Sequence, residues 1–247
     1  MLAAKDELEK NGFNVFTMGL GEDSGQLTDA NIILLPVPVT RDGVNINCAL
    51  TGAVIPLDIL KLLPQSARIF GGGKLDLNNY TDLLALDEYA IKNAVLTAEG
   101  AIAYALENTD FALFESKILV IGYGRVGKVL TSRLLGFYPD ITVSARSARD
   151  FASLEAGGIR HIATGELHRV SAPFDIVFNT VDIKFQNEVK AALSPTLFVD
   201  LSSRGGFVKN DNDNQRVRYI KLPGIPAKTA YKTAGKIIAE TVISLQR

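Results

Sequence analysis

The chain has 247 residues, 47% hydrophobic and 21% charged, with a formal net charge of −1, an ordinary globular balance and enough length for two modest domains. No basic block stands out, so electrostatics gives no reason to expect nucleic acid or an anionic membrane surface as a partner. A single cysteine, Cys48, cannot close an internal disulfide and leaves no zinc-type ligand spacing, which fits a reducing cytoplasm and a chain without a metal site.

Met1 to Lys10 is too charged for a signal-peptide core, and it reads as a helix stopped by Asn11-Gly12. Strand-like runs follow at Phe13–Met18, Asn31–Leu35, Arg68–Phe70 and Asp82–Leu86, with Pro36-Val37-Pro38 ending the second of them. A long segment from Val39 to Gly52 reads as a loop of the kind that carries function. Glu88–Glu107 has the pattern of a long helix. Its alanines at 90, 94, 98, 101 and 105 make a small-residue face suited to another helix, in the same chain or in a second copy, so a homo-oligomer stays open. The second half alternates more regularly. It predicts strands at Lys117–Ile121, Ile141–Ala145, Ile159–Ala163, Phe174–Asn179, Leu197–Leu201 and Val217–Leu222. Helices are expected at Arg125–Phe137, Ala148–Glu155, Lys184–Leu193 and Tyr231–Leu245. Alternation of this kind predicts an α/β protein with a doubly wound parallel sheet of Rossmann type and a second, smaller α/β domain.

The chemistry centres on Gly122-Tyr123-Gly124-Arg125-Val126-Gly127. A lone G-x-G-x-x-G is a weak signal, but here a buried-strand run precedes it and a helix opens after it. The first glycine serves the tight turn and the second lets a pyrophosphate approach the backbone. The third lets the helix sit close to the strand, and the helix N-terminus offers free N–H groups to the phosphates. An NAD site would carry a carboxylate at the end of the next strand. That strand ends instead in Ser144-Ala145-Arg146-Ser147, with no carboxylate before Asp150. Arg146 can pair with a 2′-phosphate, and Ser144 or Ser147 can donate to it, so NADP is the expected cofactor. Further strand ends that would border the crevice carry Asn179 and Thr180, then Ser202-Ser203-Arg204-Gly205-Gly206, then Pro223-Gly224. Both histidines, His161 and His168, fall in the adenine-side half, so the histidine base common in alcohol dehydrogenases is missing.

The chain resembles the family of NADP-binding A subunits of dipicolinate synthases. The matching stretches are Thr97–Ile102 leading to Asn108-Thr109, Lys117–Gly127, Val143–Ser147, Asp175–Thr180, and Leu222-Pro223-Gly224-Ile225-Pro226-Ala227-Lys228-Thr229-Ala230-Tyr231-Lys232-Thr233-Ala234-Gly235-Lys236-Ile237-Ile238. The last is the most specific. The resemblance implies an NADP-dependent oxidation late in the lysine branch, in which a dihydrodipicolinate-type precursor becomes pyridine-2,6-dicarboxylate, the product that accumulates with calcium in spores. It also implies a partner, a second and flavoprotein-like subunit. A dicarboxylate substrate calls for cations and donors. Arg41, Arg204, Thr229 and Lys232 are candidates for holding it, and Arg204, Ser202, Ser203 and Lys228 for work at the reacting centre. Aromatising a dihydropyridine runs downhill, so positioning could supply most of the catalysis. Set against this family, the chain is expected to start inside the first helix, with the family's first strand missing upstream of Met1.

Two other readings stay open. Arg204-Gly205 also resembles the substrate-binding pair of D-2-hydroxyacid dehydrogenases, against which the missing histidine argues. A non-catalytic NADP-sensing subunit is the third. In each case residues 1–92 are expected to form the substrate-side domain and 93–228 the cofactor domain. Residues 229–247 are expected to return as a helix onto the first domain, and the crevice to lie between the two.

Overall fold

A computed structural model describes residues 1–17, 29–47, 54–170, 173–183, 197–202 and 218–246. The chain forms two units, one of Met1–Asn93 with Tyr231–Arg247 and one of Ala94–Ala230.

In the first unit, β1 (Ile32–Leu34), β2 (Arg68–Gly71) and β3 (Tyr80–Asp82) form a three-stranded parallel sheet in that order. Its core gathers Ile33, Leu35, Val39, Ile55, Leu60 and Ile69. The amino-terminal helix α1 (Leu2–Lys10) lies against the carboxy-terminal helix, Tyr231–Ser244. Gly235 leaves room for this contact, since a Cβ there would stand 2.6 Å from that of Ala3.

Two expected strands differ from this arrangement. Residues 13–17 carry none, and Phe16 is 63% exposed, so the run does not bury the face a strand there would need; Met18 lies outside the described residues. The expected strand Asp82–Leu86 is instead the end of β3 followed by a 3₁₀ turn, Leu83–Ala85. The Asp82 carboxylate accepts from the Leu84 N–H at 2.9 Å, a local bond that competes with extending the ladder. The expected helix Lys184–Leu193 lies outside the described residues.

In the second unit, β4 (Lys117–Ile121), β5 (Asp140–Ala145), β6 (Arg160–Ala163), β7 (Ile176–Asn179), β8 (Leu197–Asp200) and β9 (Arg218–Lys221) form one six-stranded sheet, ordered β6-β5-β4-β7-β8-β9. All its pairs are parallel. Counted from β4 the order is 3-2-1-4-5-6, that of a dinucleotide-binding Rossmann sheet, with the topological switch between β4 and β7. The central strands are apolar on both faces because both faces are covered. Ile118, Val120, Phe178 and Val199 pack on one side with the later part of α2 (Asp87–Glu107), α3 (Arg125–Leu135) and α4 (Ala148–Ala156). Leu119, Ile121, Val177 and Phe198 form a second cluster.

The alanine face of α2 closes inside the chain. Ala98, Ala101 and Ala105 are fully buried in the first of these clusters. Gly100 leaves room for α5 (Ile225–Thr229), since a Cβ there would stand 2.1 Å from Ile225 Cγ2. This stretch of the face therefore offers no surface to a second copy. The remaining helix, Tyr231–Ser244, is α6. Among the described residues no helix is long and apolar enough to cross a membrane.

Candidate dinucleotide site

Parallel strands deliver their carboxyl ends to one edge of the sheet, and the switch point opens a crevice there. The loop from β4 into α3 occupies it. Gly122 has φ +98°, and a Cβ on it would stand 2.4 Å from Val181 Cγ1. Gly127 presses its Cα face onto the same turn, where a Cβ would stand 2.0 Å from the Gly122 carbonyl oxygen. Gly124, between them, would place a Cβ with nothing within 4 Å. The space beside two of the glycines is thus filled by the chain itself, and the middle one faces open space. That open face lies at the N-terminus of α3, where Gly124 is the N-cap and the helix brings its partial positive charge. The arrangement fits a pyrophosphate lying across Gly124.

The residues expected to bind cofactor take different places. Tyr123 and Val126 are half-buried, and Arg125 is exposed in the first turn of α3. Ser144 is fully buried beneath the loop. Its hydroxyl accepts from the Gly122 N–H at 3.3 Å and lies 3.1 Å from the Thr164 hydroxyl. Ser144 therefore supports the turn from below, and of the two serines only Ser147 is exposed. The reason is position along the chain: Ser144 is still within β5, whose end is buried on both faces, and is paired with Ile121, whereas Ser147 lies beyond it as the N-cap of α4. Arg146 stands between them, exposed and without an ion-pair partner among the described residues.

Asn179 is also fully buried. Its amide donates to the Val181 carbonyl at 3.1 Å and to Asp200 at 2.9 Å, and its oxygen accepts from the Val181 N–H at 3.2 Å. The side chain's hydrogen bonds are made within the crevice floor. Thr180 donates its hydroxyl to the Ile121 carbonyl at 2.9 Å, tying the end of β7 to the glycine turn. Pro223 and Gly224 are exposed in the turn after β9, with Gly224 at φ +67° capping α5.

Sequence reasoning did not single out the residue that joins three strand ends along this edge. Asp200, fully buried at the end of β8, accepts from Asn179 at 2.9 Å, the Ser202 N–H at 3.0 Å, the Ser202 hydroxyl at 2.6 Å and the Tyr219 hydroxyl at 2.7 Å. It joins the ends of β7, β8 and β9. A charged residue ending the apolar run Leu197-Phe198-Val199 was the available signal. Ser202 is accordingly buried and committed to Asp200.

Ser203 and Arg204 lie outside the described residues. Lys228 is exposed on α5, and the Thr229 hydroxyl there donates to the Ile225 carbonyl at 3.1 Å. Arg41 and Lys232 are exposed in the first unit. Arg41 adjoins a turn in which Asp42 is held well below the usual carboxylate range by the N–H groups of Asn45 and Val44. His161 is half-buried with its ring 5.2 Å from that of Phe151, and His168 is exposed. No cluster of metal-ligating side chains occurs among the described residues.

Burial, with the hydrogen bond to Asp200, holds the Tyr219 phenol well above the ordinary tyrosine value of 10.0. Burial also raises Tyr80 and pushes Tyr89 up to about 12. In the unfolded chain these phenols ionise near their ordinary value while the folded state keeps them protonated. Their contribution to stability is therefore complete below that value and lost as pH rises through the folded values. Melting from about pH 8 to about pH 12 should show a midpoint that falls from about pH 10 upward. Tyr219→Phe should fall less over the same range, and parallel profiles would contradict the assignment.

No family model matches the chain. It is 29% identical to the A subunit of dipicolinate synthase from Bacillus subtilis (strain 168), over 99% of this chain and 86% of that protein. The crystal structure of the dipicolinate synthase A chain from Bacillus subtilis superposes with a TM-score of 0.81 at 26% identity, covering 99% of this chain and 91% of that one. The structure of the corresponding dipicolinate synthase subunit from Bacillus halodurans gives a TM-score of 0.84 at 22% identity, covering 99% and 93%, a likeness of fold. With a Rossmann sheet, a glycine turn open at Gly124 and near-complete coverage in both comparisons, the chain is a homologue of the dipicolinate synthase A subunit, built on a dehydrogenase-type dinucleotide-binding fold.

Proposed function

We propose that the chain is the NADP-binding, dehydrogenating subunit of a dipicolinate synthase. It removes two hydrogens from a dihydrodipicolinate-type intermediate to give pyridine-2,6-dicarboxylate. The observation that carries this reading is the 29% identity to the dipicolinate synthase A subunit over 99% of the chain. NADP is favoured by the β5 end, where Arg146 is exposed and the first carboxylate, Asp150, is committed to Ser147 and Lys128. Location in the cytoplasm of a spore-forming cell and a flavoprotein-like second subunit belong to the same reading.

The chemistry supplied by a nicotinamide dinucleotide, when bound, is acceptance of a hydride from the substrate ring. The chain's own residues bind and orient. The α3 N-terminus and Gly124 hold the pyrophosphate, and Arg146 holds the 2′-phosphate. The crevice floor of Thr180 and Val181, fixed by Asn179 and Asp200, sets the height of the nicotinamide end. Arg204 stays the candidate for one substrate carboxylate, because a guanidinium offers two parallel donors.

Incubating the chain with NADP and the product of dihydrodipicolinate synthase should produce pyridine-dicarboxylate absorbance together with NADPH. Absence of both, even when the second subunit is supplied, would overturn the reading. NADPH formed by the isolated chain distinguishes an enzyme from a non-catalytic sensor. Arg146→Ala should weaken NADP binding by ~1.5–3 kcal/mol, the range for a charge-assisted hydrogen bond, and barely change NAD binding. Equal losses for the two cofactors in calorimetry would show that the arginine does not read the phosphate.

A further inference from the structure

The β5–α4 turn has a feature that neither the glycine motif nor Arg146 explains. Asp150 is the first carboxylate in the sequence after β5, and a like charge beside a 2′-phosphate opposes binding. Asp150 is not free to act in that way. Ser147 donates to its Oδ2 at 2.7 Å, while the Asp150 N–H donates to the Ser147 hydroxyl at 3.1 Å, so the N-cap serine is bonded to both the side chain and the backbone of the third helical residue. Its other oxygen, Oδ1, faces Lys128 Nζ at 3.0 Å. Lys128 comes from a different element, α3, directly after the last glycine of the motif. Its Nζ also lies 5.2 Å from the centroid of the Tyr123 ring, inside the motif itself. The chain Tyr123–Lys128–Asp150–Ser147 therefore joins the pyrophosphate loop to the turn that carries Arg146. Arg149 also acts on the Asp150 carboxylate electrostatically, and Arg146 is left without an ion-pair partner among the described residues.

We propose that Lys128 is a specificity-determining residue for the cofactor, acting by neutralising and restraining Asp150 so that its carboxylate does not offset the positive charge the turn presents to the 2′-phosphate. The proposal rests on the NADP reading and extends it from the phosphate's direct partner to the countercharge behind it. Lys128 acts through Asp150 and is a positioning residue. An exposed ion pair of this kind adds little to folding, so its removal should show in ligand choice. Consistent with this, the hydrogen bond from Ser147 and the pairing with Lys128 hold the Asp150 carboxyl below its ordinary value.

The test is titration calorimetry with NADP and with NAD on the wild type, Lys128→Met, Asp150→Asn and the double variant. Methionine keeps the aliphatic stem against Tyr123 and removes the charge. Lys128→Met should weaken NADP binding roughly five- to twentyfold, since an unpaired carboxylate near the phosphate repels it through a medium only partly screened by solvent. NAD affinity should change by less than about twofold, which also reports that the variant is folded. The double variant should recover NADP affinity to within about twofold of Asp150→Asn alone, because the charge to be neutralised is gone. If Lys128→Met weakens both cofactors alike, or if Asp150→Asn fails to rescue it, Lys128 acts by direct contact or by shape and the proposal is overturned. A wild type that binds NAD as tightly as NADP overturns the NADP reading itself, a result recognisable without any variant.

Discussion

Gly127→Ala should abolish dinucleotide binding and lower stability, whereas Gly124→Ala should lower binding alone. The two glycines lie in one motif but meet different neighbours. A Cβ on Gly127 would stand 2.0 Å from the Gly122 carbonyl oxygen and 2.9 Å from its carbon, and both contacts are backbone. Backbone cannot rotate away, so α3 must move off β4 or the turn must open. Overpacking of this kind costs about 1–3 kcal/mol, and it displaces the N–H groups that would face the pyrophosphate. A Cβ on Gly124 meets nothing within 4 Å, and Gly124 has φ −79°, which alanine adopts without strain. The protein should therefore melt within about 1 °C of the wild type. The added methyl would nevertheless occupy the space where a pyrophosphate reaches the backbone, and affinity should fall by about 1–3 kcal/mol. Melting curves and calorimetry on both variants decide the matter. If Gly124→Ala binds as tightly as the wild type, no ligand lies over that glycine and the site must be sought elsewhere along the sheet edge.

The contrast also marks what the sequence could tell. The unit β4–glycine turn–α3 was legible because each of its parts is dictated locally. The strand is buried on both faces and so reads as an unbroken apolar run, and the three glycines answer three steric demands at fixed spacing. The order of the six strands is set by crossover packing between distant segments, and it followed from the fold class and not from any local pattern. The first unit was less legible. Phe13 to Phe16 has the composition of a strand, but Phe16 stays exposed, and only tertiary partners decide such a run. At Asp82 one side chain capping the Leu84 N–H turned an expected strand into a 3₁₀ turn.

At the site, residue type was legible and side-chain direction was not. Ser144 and Ser147 are chemically alike, yet the first lies within the last part of a strand and is buried, while the second caps a helix in solvent. Asn179 looked like a ligand-facing amide and turned out to be committed to Val181 and Asp200. Lys128 was not singled out in the sequence, and it is paired across two helices. The short helix α5 was missed although Gly224-Ile225-Pro226 carries the signal of a glycine cap with proline in the first turn.

Asp200→Ala should cost about 3–5 kcal/mol of stability, the largest effect expected of any single side chain at the crevice. The carboxylate is fully buried and accepts four hydrogen bonds among the described residues, from Asn179, twice from Ser202, and from Tyr219. Alanine leaves those donors facing one another in a space too small to hydrate them well, so each loses its partner without regaining water. Asp200→Asn keeps the shape but replaces one acceptor oxygen with a donor, so at least one of the four bonds becomes a donor–donor contact. Its cost should be smaller, about 1–3 kcal/mol. Tyr219→Phe removes a single donor and leaves the carboxylate three others, and it should cost least. The order of the three variants in chemical denaturation tests the idea that a buried anion, rather than packing volume, holds the ends of β7, β8 and β9 together. A packing role would make Tyr219→Phe nearly neutral and Asp200→Asn indistinguishable from the wild type. The same experiment bears on binding, because Asn179 fixes Val181 through two of its hydrogen bonds and is itself fixed by Asp200. Folded Asp200→Asn should thus bind dinucleotide more weakly at the nicotinamide end, with a loss that is larger for the whole cofactor than for adenosine 2′,5′-bisphosphate. Equal losses for the whole cofactor and the fragment would place the effect of Asp200 in the unit as a whole and not in the crevice floor.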